Sequence, residues 1–192
     1  MDNDFLRYAK YAKSSYSKDH DNRFEFDNDS LITFEAEDFG ERKLFIVLAG
    51  TDDMADVKDS ITDDYNIEKA RSHLWNARIG SFIRGQKIVL VGHSRGGRLA
   101  VALGADMKAR GLNVEKIVTF GCPKVDLNVT KVPHFRIVNR ADPVPNLPPF
   151  FYGCHHHVKP IYLGGKPKWW RRFLFVSNAY KYHPIDEYIS SL

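Results

Sequence analysis

A chain of 192 residues, 43% hydrophobic and 27% charged, can bury a substantial core and suits one domain spanning residues 1–192. No window approaches the roughly 20 apolar residues of a transmembrane helix, and two cysteines, Cys122 and Cys154, are too few for a disulfide scaffold and leave a single pairing open. A net charge of +4 favours acidic partners such as anionic lipid or nucleic acid but is modest for this length, and the four cations gathered in residues 164–173 are too small a footprint for nucleic acid to be expected.

The opening MDNDFLRYAK is acidic and then amphipathic, without the apolar core and small-residue cleavage site of a secretory signal, so cytoplasmic synthesis is expected. Phe5, Tyr8, Tyr11, Ala12 and Tyr16 recur at the spacing of one helix face and predict a first helix. LITFEAE (31–37) alternates like a half-buried strand, FGERK turns, and LFIVLAG (44–50) is almost wholly apolar, so two paired strands should lead into a sheet centre. The acidic stretch 51–64 reads as a loop and 65–84 as a helix. Then follow strand KIVLVG (87–92), a helix over 95–110, strand KIVTFG (116–121), strand HFRIVN (134–139), a proline-rich loop to Tyr152 and a strand in HVKPIYLG. Short apolar strands alternating with helices predict an α/β layered fold with a mainly parallel central sheet flanked by helices. No repeat, linker or low-complexity segment interrupts it.

GHSRGG (92–97) sits between the strand KIVLV and the small-residue helix RLAVALGADMKARG. The pattern G-x-S-x-G is weak alone, but strand before and helix after are what a nucleophile elbow needs. The serine occupies a strained turn, and Gly92 and Gly96 stand where side chains would collide. The following helix would aim its unpaired N–H groups at a developing oxyanion. Serine is a poor nucleophile at its free pKa, so Ser94 requires a histidine base and an acid, in the order serine, acid, histidine. Asp142 follows the strand HFRIVN and should emerge at the carboxyl edge of the sheet with Ser94, which makes it the expected acid. Asp126, after KIVTFG, is the rival. His155, His156, His157 and His183 all lie downstream, and spacing does not choose among them. Successive residues of the triple histidine would point to opposite faces of a strand and make poor joint metal ligands.

These segments together resemble the class 3 lipases, α/β-hydrolases that include fungal triacylglycerol lipases and related phospholipases and feruloyl esterases. The resemblance rests on FLRYAKYAKSSY, FIVLAGTDDMADVKDS, VLVGHSRGGRLAVAL, VTFGCPKV and FRIVNRADPVPNLPP, and covers most of residues 5–190. It implies an α/β-hydrolase fold and a lipid ester hydrolase needing no cofactor or metal. It also implies Ser94 as nucleophile, Asp142 as acid and His183, in KYHPIDEYI, as base. Thr51 and the backbone N–H of Arg95 would form the oxyanion hole, and Asp59 would brace the oxyanion loop. A carboxylesterase for small esters, or a non-catalytic lipid-binding module on the same fold, are the alternatives.

The chain departs from the family at Arg95, where leucine is usual, at Val57, where tryptophan is common, and in LAGT, which lacks the arginine before glycine. A more polar rim is therefore expected. The short interval between Thr51 and Ser94 leaves little chain for an amphipathic lid. The acidic run Asp52 to Asp64 lacks the glycine turn and glutamate of an EF-hand and reads as a solvated loop. In GGKPKWWRRF, Trp169 and Trp170 stand among Lys166, Lys168, Arg171 and Arg172. This composition suits peripheral contact with an anionic membrane, with core tryptophans and a solvated charged rim as the plainer reading.

Overall fold

The computed structural model describes residues 2–20, 22–26, 29–50, 65–74, 83–125, 132–147, 154–165, 179 and 181–192. Seven strands run in chain order across one sheet: β1 (Arg23–Phe26), β2 (Asp29–Asp38), β3 (Glu41–Ala49), β4 (Ile88–His93), β5 (Val114–Phe120), β6 (His134–Asn139) and β7 (Pro160–Leu163). The first three form an antiparallel meander, and β3 through β7 are parallel. The expected mainly parallel sheet is thus present, preceded by two antiparallel strands of which the sequence predicted only the second.

Side-chain alternation sorts the two faces. Leu44, Ile46 and Leu48 of β3, Ile88 and Leu90 of β4, and Val114 and Ile117 of β5 pack on one side with helices α2 (Tyr65–Leu74) and α3 (Arg95–Ala109). Phe45, Val47, Val89, Val91, Val118 and Phe120 pack on the other, under α1 (Asp2–Ser14) and α4 (Ile185–Ser191). Coverage of both faces is what allows β4 to be buried along its whole length and explains its unbroken apolar reading. Helix α1 places Phe5, Tyr8, Ala9 and Ala12 inward, as its periodicity predicts, and ends two residues before Tyr16. Of the helix expected over 65–84, the first ten residues are helical and the next eight lie outside the described residues. Cys122 and Cys154 are both free thiols.

The parallel strands all end on one edge. That edge therefore receives the loops after β3, β4, β5, β6 and β7, whereas the opposite edge carries a buried ionic cluster around Asp38.

Candidate catalytic site

Strand β4 ends at His93, Ser94 makes the turn, and α3 begins at Arg95. Ser94 has φ 54° and ψ −130°, a backbone conformation that L side chains rarely adopt. It is held there by its own N–H, which donates to the Phe120 carbonyl at 2.9 Å, and by its carbonyl, which accepts from the Gly97 N–H at 2.9 Å. The two glycines serve close approach. A Cβ on Gly92 would lie 2.3 Å from the Gly96 carbonyl oxygen, and one on Gly96 would lie 2.2 Å from the Leu48 carbonyl oxygen. The start of α3 is therefore pressed against the ends of β3 and β4, and only glycine fits there.

Beyond β6, Asp142 lies in a turn closed by its own N–H to the Asn139 carbonyl at 3.0 Å. Its Oδ1 accepts from the Val144 N–H at 2.9 Å, fixing the carboxylate as Asp and Asn side chains commonly do in turns. His183 lies just ahead of α4, 89 positions along the chain from Ser94, and its ring spans the gap between the two loops. Nδ1 is 2.8 Å from Asp142 Oδ2 and Nε2 is 2.7 Å from Ser94 Oγ. A carboxylate can only accept, so the proton is on Nδ1 and Nε2 is free to accept from the serine hydroxyl. All three side chains are buried. Gly121, with φ 59°, makes room for the ring, because a Cβ there would stand 2.9 Å from His183 Cε1.

The alternatives lie elsewhere or outside the described residues. His155 pairs its backbone with Val125, and the His156 ring contacts the Pro145 carbonyl at 2.6 Å. Nε2 of His157 is buried without a hydrogen-bond partner among the described residues. Asp126 lies outside the described residues, as do Thr51, Asp59, the acidic run and Trp169, Trp170, Arg171 and Arg172. Among the described residues the approach to the expected oxyanion site is nonetheless visible. A Cβ on Gly50, the residue before Thr51, would be 3.0 Å from the Arg95 nitrogen, so the end of β3 runs against the first amide of α3. No grouping of His, Cys, Asp and Glu able to hold a metal ion occurs among the described residues.

Three residues around this arrangement were not singled out from the sequence. The Tyr188 hydroxyl, fully buried on α4, donates to Asp142 Oδ2 at 2.6 Å. Burial, with the Asp142 charge beside it, pushes that phenol well above its ordinary range, so it stays a donor. The His93 ring stacks on the His183 ring with centroids 4.8 Å apart, and the Tyr16 hydroxyl meets His93 Nδ1 at 2.7 Å. The available signals were position alone: His93 directly precedes the nucleophile, and Tyr16 ends the first helical pattern.

The arrangement can perform serine acyl transfer: an oxygen nucleophile, a neutral imidazole to accept its proton, a carboxylate to hold the imidazole, and helix amides beside it. Residues 69–152, which include Ser94 and Asp142, match the family model for Lipase (class 3). A secreted mono- and diacylglycerol lipase from Fusarium solani is 33% identical over 88 residues, covering 42% of this chain and 26% of the relative's length. Among solved structures, a lipase from Rhizopus microsporus var. chinensis superposes with a TM-score of 0.65 at 19% identity, covering 85% of this chain and 75% of that one. The Rhizomucor miehei lipase propeptide complex gives 0.65 at 18% identity, with 85% and 67% covered. Lip2 lipase from Yarrowia lipolytica gives 0.59 at 21% identity, with 84% and 78% covered. At these identities the structural likeness establishes the α/β-hydrolase fold.

Proposed function

We propose that this chain, whose residues 69–152 match the class 3 lipase model, belongs to that family and hydrolyses lipid esters by way of Ser94, His183 and Asp142. The observation that carries the reading is the His183 ring, hydrogen-bonded at one nitrogen to Ser94 Oγ and at the other to Asp142. Ser94 Oγ attacks the acyl carbonyl as His183 Nε2 takes its proton. Asp142 stabilises the imidazolium and keeps its orientation. The Arg95 N–H, with Thr51 as its expected partner, holds the oxyanion. His183 then protonates the leaving alcohol, and water, deprotonated by the same ring, releases the acid from the acyl-enzyme.

Glycerides are the first substrates to test, because the curated relative is named a mono- and diacylglycerol lipase. Phospholipids and short soluble esters complete the panel. Ser94→Ala and His183→Ala should each lower turnover by about three orders of magnitude or more without unfolding the chain. His155→Ala and His156→Ala should keep most of the rate. Labelling by a fluorophosphonate should be lost in Ser94→Ala. Turnover above a tenth of wild type in Ser94→Ala would overturn the reading.

A further inference from the structure

His93 is buried yet polar at both ring nitrogens, and both are spoken for. Nε2 is 2.9 Å from the main-chain carbonyl of His183, which can only accept, so Nε2 carries the proton. Nδ1 must then accept, and its partner is the Tyr16 hydroxyl at 2.7 Å. The Tyr16 oxygen in turn accepts from the Gly50 N–H at 3.3 Å. One chain of hydrogen bonds therefore joins the end of β3, the segment after α1, the residue before the nucleophile, and the backbone of the base. The His183 N–H donates to the Ala179 carbonyl at 3.0 Å, so the backbone is held on both sides of the His183 Cα. Meanwhile the His93 ring covers the His183 ring.

We propose that Tyr16 and His93 are positioning residues for hydrolysis: they hold the His183 backbone and Gly50 in fixed relation to Ser94, so that base and oxyanion strand meet the nucleophile in register. This rests on the catalytic reading of Ser94 and His183. The network works with a neutral His93, because protonated Nδ1 would face the Tyr16 hydroxyl as a second donor. Burial, then the charge that His183 gains in catalysis, keeps His93 neutral, with its protonation pushed down to about pH 3. His93 thus offers a fixed donor and a flat face without competing for the proton that His183 moves. Precision matters here because a displacement of about 1 Å at a reacting group can cost about a hundredfold in rate.

The test uses the full chain, a soluble short-chain p-nitrophenyl ester and a fluorophosphonate. Tyr16→Phe deletes one oxygen and should lower kcat about tenfold with KM within about twofold, and slow phosphonate labelling of Ser94 in parallel. His93→Leu removes both hydrogen bonds and should cost about a hundredfold. His93→Gln, whose amide N–H can reach the His183 carbonyl, should recover most of that loss. Full kcat in folded Tyr16→Phe and His93→Leu, with only the melting temperature lowered, would overturn the proposal and leave the pair a structural brace. Equal activity of His93→Gln and His93→Leu would also overturn the role given to Nε2. If His93→Leu does not fold, Tyr16→Phe and His93→Gln decide. An active Ser94→Ala control would instead overturn the catalytic reading on which the proposal stands.

Discussion

Ser94 bears a cost that its neighbours enforce. At φ 54° and ψ −130° the residue lies where glycine is at ease and L side chains are not, and strain of this kind costs about 1–3 kcal/mol. Ser94→Gly should therefore be more stable than Ser94→Ala by about 1 kcal/mol in urea unfolding, although both should be inactive. Equal midpoints would mean that the turn is relaxed in the folded chain. Asp142 shows the complementary arrangement, with three donors on two oxygens: the Val144 N–H, the His183 Nδ1–H and the Tyr188 hydroxyl. Tyr188→Phe leaves a cavity no larger than an oxygen but removes a charge-assisted hydrogen bond in a dry place. It should lower stability by about 2 kcal/mol and kcat several-fold, with KM little changed. Unfolding curves together with steady-state kinetics check both halves. Ser94 and Asp142 were legible because an elbow and a post-strand loop have local signatures. The partners Tyr16, His93 and Tyr188 were not, since a tyrosine on an amphipathic pattern looks the same whether its hydroxyl meets water or a carboxylate.

At the scale of elements, the sequence spoke most clearly where a single periodicity applied. Strands β3 and β4 are buried on both faces and read as apolar runs, and α1 shows its stripe. Strand β1 is only Arg23–Phe26, too short to alternate convincingly, and its existence depends on the β2 edge it pairs with. The ionic cluster on the amino edge was equally unreadable, because it unites four elements. Asp38 at the end of β2 is fully buried and meets Lys43 Nζ of β3 at 3.1 Å, Lys116 Nζ of β5 at 2.8 Å, and Arg7 and the Tyr8 hydroxyl of α1. Burial alone would raise its carboxyl, but the donors from Lys116, Tyr8 and Lys43 outweigh it and hold it down at about 2. A carboxyl depressed on folding stabilises the chain when ionised, so this contribution is present above about pH 4 and lost as pH falls towards 2. Asp38→Asn should be destabilised by about 3 kcal/mol at pH 7, since two ammonium groups lose their shared partner. The gap from wild type should narrow between pH 4 and pH 2 in unfolding curves taken at each pH. A gap independent of pH would show that packing, not charge, is what Asp38 supplies.

For the whole molecule, the parallel register decides which side faces a substrate. Strand β7 runs parallel to β6 with Leu163 beside Asn139, and the Arg140 N–H donates to the Leu163 carbonyl at 3.0 Å. The chain therefore leaves β7 at the same edge that carries Ser94, Asp142 and His183. There the exposed Tyr162 ring lies under the Arg140 guanidinium at 4.2 Å. The segment that departs from this edge is GGKPKWWRRF, with its two indoles and four cations. Residues 166–173 lie outside the described residues, but indoles settle at headgroup level and each cation near an anionic surface contributes roughly 1 kcal/mol, so this composition suits contact with an anionic lipid surface. Replacing Arg171 and Arg172 with glutamine should weaken binding to anionic vesicles by about thirtyfold, and adding Trp169→Ala and Trp170→Ala should weaken it further. Hydrolysis of vesicle lipid should slow in step, while hydrolysis of a soluble short-chain ester, which in the proposed reaction calls only on Ser94, His183 and Asp142, should persist. High salt should mimic the arginine changes, because screening acts on exposed charge and not on a packed core. If both activities fall together with the melting temperature, the tryptophans are part of the core and the membrane contact is wrong. A loss confined to vesicles would assign lipid capture to this segment and leave ester cleavage independent of it.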